Sequence, residues 1–276
     1  MENLKKERIY RHLIANLAIL LCITIVAIVS FSLKPTDTIV VGLNKEYNGT
    51  IYAGDTNSRN ISLMINVYWG NEWLVKMLDI LDKNEVKATF FVGGTWVKDN
   101  VELLKKIYLK GHEIASHGHN HKEHAKLDYT ANLTEIQTCH EIVKDVLGID
   151  MELFAPPGGS YNQNTIKAAG FLNYKTIMWT RDTIDWRDHN TSLIYNRAVT
   201  NMCGGDLILM HPTENTTEAL SNIIAYAKKH KFDLVTVSEN LGLWDYEFHL
   251  KMLKFYKKDL KIYKIRFDDG FFCYII

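Results

Sequence analysis

From Ile61 onward, the hydrophobic positions of this 276-residue chain switch repeatedly between two periods. Short runs rich in β-branched and aromatic residues predict strands at 61–67, 87–92, 112–115, 153–154, 174–179, 207–210 and 234–237. Apolar residues spaced three and four apart predict helices over 72–81, 97–109, 132–147, 164–169, 192–202 and 216–230. Repeated β-α units imply parallel strands covered by helices. Roughly seven units within about 180 residues fit a small or incomplete barrel better than an open sheet. Functional residues are then expected just after the C-terminal ends of strands.

Three stretches fall outside this rhythm. Leu13 to Leu33 is 21 residues without a charge, enough for a helix of roughly 30 Å, the thickness of a bilayer core. Lys5, Lys6, Arg8, Arg11 and His12 precede it within segment 1–12, which puts that end in the cytoplasm and the rest of the chain across the membrane. A cleaved signal peptide is the rival, but its apolar core usually runs only about 7–15 residues, and Val29-Ser30-Phe31-Ser32 is a poor cleavage site. The expectation is a single-pass transmembrane anchor at 13–33 in the cell membrane, with the remainder extracytoplasmic. Residues 34–60 read as a linker with a candidate edge strand at 39–43, and 61–241 as the main domain. The extension 242–276 carries Lys251, Lys254, Lys257, Lys258, Lys261 and Lys264 along a predicted helix with Met252, Leu253, Tyr256, Leu260 and Tyr263 as its apolar face. A last strand at 271–276 is expected to pair with 39–43.

Composition adds limits. Lys+Arg and Asp+Glu each number 32, so the formal net charge is zero and no global field draws the chain to nucleic acid. Apolar residues make up 47%, enough for a sizeable core, and a monomer is expected. The four cysteines form no C-x-x-C pair, which argues against a disulfide framework or a thiolate metal site. Cys139 and Cys203 are expected to be buried.

Four loops could carry chemistry. Five of the eleven histidines, His112, His117, His119, His121 and His124, fall within thirteen residues beside a strand end, and imidazole is the commonest metal-binding side chain near neutral pH. His117 and His121, four apart, could aim at one ion. Phe154-Ala155-Pro156-Pro157-Gly158-Gly159-Ser160-Tyr161 could present a backbone N–H to a developing oxyanion, with Tyr161 a candidate substrate contact. Trp179 to Trp186 mixes aromatic and acidic residues, which suits carbohydrate. His211 closes the run Asp206 to Met210, where its pKa range suits a general acid.

In this order, and with Lys87-Ala88-Thr89-Phe90-Phe91-Val92 and Gly111-His112-Glu113-Ile114, the chain resembles the polysaccharide deacetylases of carbohydrate esterase family four, the NodB-homology domain. The Trp69-Gly70 pair and Phe154-Ala155-Pro156-Pro157 are similar to sporulation-type, Gram-positive members. The resemblance covers about 61–241 and implies a distorted or incomplete (β/α)7 barrel, a divalent metal, zinc or cobalt, and removal of N-acetyl groups from a cell-wall glycan such as peptidoglycan. It implies that His117 and His121 hold the metal, Gly158 offers the oxyanion N–H, and Asp185 tunes the acid His211. Trp186 and Leu209 would wall the acetyl pocket. The first motif departs from the family: Asn66 stands where the catalytic base is an Asp, no Asp beside it supplies a third metal ligand, and Ala155 replaces the Arg that braces the base. Two readings follow. Either Glu72 serves as a relocated base or ligand, with His119 or His124 completing the metal site, or the domain is catalytically silent and binds wall glycan. Phe267-Asp268-Asp269-Gly270 spells the core of the missing motif but reads as a chance turn.

Overall fold

The computed structural model describes residues 46–47, 49–243, 263–266 and 272–275. The expected anchor at 13–33, the candidate strand at 39–43 and residues 244–262 lie outside the described residues. Among the described residues, no helix is long and apolar enough to cross a membrane.

The chain begins with a short antiparallel pair, β1 (Glu46–Tyr47) and β2 (Thr50–Ile51). Then strand and helix alternate: β3 (Asn60–Val67), α1 (Asn71–Lys83), β4 (Thr89–Val92), α2 (Gly94–Asp99), α3 (Val101–Leu109), β5 (Glu113–Ser116), α4 (Tyr129–Leu147), β6 (Leu153–Phe154), α5 (Gln163–Phe171), β7 (Lys175–Ile177), β8 (Arg181–Asp182), α6 (Thr191–Val199), β9 (Leu207–Met210), α7 (Glu214–Lys229), β10 (Asp233–Leu234) and α8 (Val237–Asn240). The strands pair in the order β1-β2-β7-β6-β5-β4-β3-β9-β8, with β10 beside the start of β3. Strands β3 to β9 thus run in chain order around a curled parallel sheet, which is open between β7 and β8, where β2 takes the edge of β7. The expected incomplete barrel is present as this curled, open form.

Period two along each strand divides the core. Ile61, Leu63, Ile65 and Val67 face the helices, together with Phe90, Val92, Ile208 and Met210. Met64 faces the interior with Phe91, Ala115, Ala155 and Leu207. The same alternation carries Asn66 to the interior, two residues beyond Met64, and Leu209 two beyond Leu207. Burial on both faces explains why β3 reads as a nearly unbroken apolar run.

Several expectations are corrected. The helix over 97–109 is two helices, broken at Asn100, whose backbone leaves the helical region at φ −136°, ψ 38°. The strand at 234–237 ends early, because Thr236 and Glu239 form a reciprocal capping box that starts α8. β12 (Phe272–Ile275) pairs antiparallel with β11 (Tyr263–Arg266), and its expected pairing with 39–43 lies outside the described residues. Tyr263 and Lys264 therefore lie in a strand, not a helix, and Phe267-Asp268-Asp269-Gly270 falls in sequence between two paired strands. Cys139 is buried as expected, whereas Cys203 is exposed.

Candidate active site

A cavity of about 430 Å³ opens at the C-terminal end of the strands, lined by Asn66, Trp69, His117, His121, Gly158, Trp179, Asp182, Trp186, Leu209 and His211. Eight of the ten residues expected at the site by sequence are thus accounted for by seven in the cavity wall and Asp185 behind it. The remaining two, Glu72 and Tyr161, are elsewhere.

On one side stands an acid dyad. Asp185 is fully buried and accepts three hydrogen bonds: from the His211 backbone N–H at 2.6 Å, from His211 Nδ1 at 2.8 Å and from Thr216 Oγ1 at 2.6 Å. A proton held on Nδ1 leaves Nε2 of His211 free to act toward a ligand. The residue before Asp185 is strained: Ile184 has φ 53°, a left-handed conformation that a β-branched residue rarely adopts. Its N–H donates to Asp182 Oδ1 at 2.8 Å. Trp69 stacks parallel to the His211 ring, with centroids 5.9 Å apart. Gly70 makes this approach possible, since a Cβ there would lie 2.0 Å from the Pro212 carbonyl oxygen.

The other side holds the histidine pair. His117 follows β5 and is buried, and its Nδ1 meets the Ala155 carbonyl at 2.8 Å, which leaves Nε2 as the free nitrogen. Burial, reinforced by the neighbouring His121, lowers its pKa to about 3, so the ring is neutral near pH 7. Burial also lowers the pKa of His121. The two ring centroids are 5.3 Å apart. Asn66 is buried beside them, and its Oδ1 has no hydrogen-bond partner.

The residues after Asn66 offer no second acid. Val67 belongs to the outer core. The ring of Tyr68 packs edge-on against His121 at 4.9 Å and His117 at 6.1 Å, and its hydroxyl donates to the His119 carbonyl. Gly93 accommodates that ring, because a Cβ there would fall 1.8 Å from it.

Glu72 does not reach the cavity. It is exposed in the first turn of α1 and lines an adjoining groove that meets the cavity at Trp69, with Tyr68, Asn71, Thr95, Trp96 and Asn100 among its other walls. Tyr161 is likewise absent from the cavity wall, and its hydroxyl pairs with Tyr52 at 2.8 Å. His119 packs against Gly94. His124 is fully buried, with Nδ1 bonded to Asn132 at 2.7 Å. His112 is a core histidine whose Nδ1 accepts the Ala88 N–H. Among the described residues, no group of three or more His, Cys, Asp or Glu side chains could hold a metal ion. A catalytic zinc site uses three protein ligands, and here two neutral imidazoles and a neutral amide oxygen face the cavity with no carboxylate beside them. These residues do not fit a firmly held divalent ion.

Three cavity residues escaped the sequence reading. Trp69 and Trp179 lay in quoted motifs without an assigned role, and Asp182 was passed over for Asp185. Thr216, the third partner of Asp185, looked only like the start of a helix.

A histidine pair and a buried Asp–His dyad thus face one another at the strand ends of a curled parallel sheet. The polysaccharide deacetylase family model matches residues 53–177, and the chain belongs to that family. The uncharacterized protein YlxY of Bacillus subtilis is 41% identical over 189 residues, which is 68% of this chain and 59% of that protein. The chain thus spans about three fifths of that relative's length. A peptidoglycan-N-acetylglucosamine deacetylase of Bacillus cereus is 34% identical over 182 residues, 60% of this chain and 80% of that one. Among solved structures, a carbohydrate esterase family four pseudoenzyme of Bacillus anthracis matches with TM-score 0.69 and 35% identity, covering 72% of this chain and 70% of that one. A mutant of it with restored enzymatic activity matches with the same TM-score, 33% identity and coverage of 72% and 73%.

Proposed function

We propose that this chain binds an N-acetylated amino sugar of the cell-wall glycan in the cavity and does not hydrolyse it. One observation carries the reading: Asn66 holds the place of the catalytic base with its Oδ1 unpartnered, and the expected substitute, Glu72, lies in another groove. An amide oxygen has no lone pair basic enough to take a proton from water near pH 7. The likeness to a pseudoenzyme of the same family supports this reading.

The rest of the cavity suits a sugar. Trp186 is 53% exposed and Trp69 46%, and such aromatic faces pack against the apolar face of a pyranose ring. Leu209 and Trp186 offer an apolar wall to an acetyl methyl. In this reading the backbone N–H of Gly158 donates to the acetyl carbonyl and His211 Nε2 accepts the amide N–H, both residues lining the cavity. We further place the domain on the outer side of the cell membrane, on the strength of the uncharged stretch at 13–33 and its basic flank.

The second reading is metal-dependent hydrolysis of the N-acetyl group. It is favoured by the complete Asp185–His211–Thr216 network, which a binding site does not require. Calorimetric titration of the full-length chain with the N-acetylglucosamine tetramer tests the proposed function. Saturable binding, weakened about tenfold in Trp186→Ala, is the expected outcome, and no binding at any accessible concentration would sink it.

A further inference from the structure

The sugar in this cavity could be of two kinds. Wall glycan alternates N-acetylglucosamine, which is neutral, with N-acetylmuramic acid, whose lactyl group ends in a carboxylate unless a peptide caps it. The charge of the cavity wall bears on that choice.

Of the residues that line the cavity, Asp182 alone is an Asp or Glu, and none is Lys or Arg. The alternation of β8 produces this arrangement, because successive residues of a strand face opposite sides. Asp182 faces the cavity, while Arg181 is directed away from it. Its guanidinium pairs with Asp206 and donates to the carbonyls of Thr200 and Asn201. The other nearby cations are committed as well. Arg187 lies over the Trp186 ring, 5.9 Å from its centroid, and is held there by Asp188 through Nε at 2.8 Å and Nη2 at 3.1 Å. Arg197 bonds the same Asp188 at 2.6 Å and the Thr183 carbonyl at 3.0 Å. The Asp182 carboxylate is fixed through Oδ1 by the Ile184 N–H, in a turn whose strained Ile184 leaves little freedom to swing aside. A second carboxylate lies behind His211, since Asp185 is buried there.

We propose that Asp182 is a charge filter that makes the cavity select neutral N-acetylglucosamine over muramic acid with a free lactyl carboxylate. The inference rests on the proposed binding of wall glycan and names which sugar is bound. A ligand carboxylate entering the cavity meets a fixed like charge, with no Lys or Arg on the wall to receive it. Like charges held in a confined, partly desolvated site repel strongly enough to lower affinity on the order of tenfold.

Steric bulk could mimic this effect, because the lactyl group is also larger. The test therefore uses three ligands with the full-length chain: the N-acetylglucosamine tetramer, the methyl glycoside of N-acetylmuramic acid, and that glycoside with its lactyl carboxylate converted to an amide. The amide keeps the bulk and removes the charge. Affinities are measured in the wild type and in Asp182→Asn, which retains the acceptor for the Ile184 N–H. The charge filter predicts that the wild type binds the amide on the order of tenfold tighter than the free acid. In Asp182→Asn that ratio should fall to about two or less. An equal affinity of the wild type for acid and amide overturns the filter, as does a ratio that Asp182→Asn leaves unchanged. If the N-acetylglucosamine tetramer fails to bind, glycan binding falls and takes the filter with it. Tetramer binding with an unmoved acid-to-amide ratio removes the filter alone.

Discussion

The two walls of the cavity differ in how completely their polar groups are satisfied. On the acid side, Asp185 is buried and fully engaged, with three donors within 2.8 Å, and the strained Ile184 beside it is held in place by the Asp182 contact. On the base side, Asn66 is buried with an unpartnered oxygen, Val67 is core, and Tyr68 packs against the two histidines. Where a brace for the base is expected, Ala155 contributes only a backbone carbonyl to His117. The acid network also ties β9 to α7 and the loop after β8, so its removal has a structural cost. On the base side the Asn66 oxygen joins no comparable network. If the base is absent as proposed, the acid side has a structural reason to persist without it.

This contrast is open to attack by experiment. The largest effect is expected on the acid side. Asp185→Ala strands the donors of His211 and Thr216, which costs about 3 kcal/mol. Thermal unfolding of the full-length chain should shift down by roughly 6–12 °C, and a shift within about 2 °C would mean that the network is not structural. Next comes the base side. Asn66→Asp gives His117 and His121 a carboxylate partner, and zinc affinity measured by competition with a chelator should rise on the order of a hundredfold. Unchanged affinity would show that Tyr68 and Val67, not the lost charge, keep the site from holding metal.

A further effect concerns pH. Burial holds His112 and His117 at pKa values of about 3 in the folded chain, against 6.5 when unfolded. The folded state then binds fewer protons than the unfolded state between those values, so stability rises with pH in that window. The contribution is fully present above about pH 6.5 and is lost as pH falls toward about 3, by at most about 1.4 kcal/mol per pH unit for each histidine. Urea unfolding at pH 7.0 and 5.0 checks the sign, and equal stability at both would indicate that these rings are charged in the folded state.

Much of this arrangement was legible in the sequence. Period two along 61–67 and 207–210 places Asn66 and Leu209 on the interior side, and strand ends followed by His117, Gly158 and His211 mark the cavity rim. What sequence did not reveal depends on contacts between distant segments. Thr216 reaches Asp185 across 31 positions, with no local signal beyond a helix start. Asp182 and Asp185 are both acidic residues after one strand, and only the turn at Ile184 sends one into the cavity and the other beneath His211. Glu72 was a reasonable substitute by proximity in sequence, but α1 begins at Asn71 and carries it onto the outer groove. One miss had a readable cue: Thr236 and Glu239 have the spacing of a capping box, and the apolar residues around them suggested a strand instead.

The central claim is that the intact acid dyad has no base to work with. The most direct measurement is acetate release by the wild-type chain from the N-acetylglucosamine tetramer and from peptidoglycan, with zinc or cobalt added, beside a His211→Ala control. The account predicts no acetate above the control from either substrate with either metal. Steady release by the wild type that disappears in His211→Ala would contradict it and show that a working base exists in a cavity where Asn66 stands in the usual place.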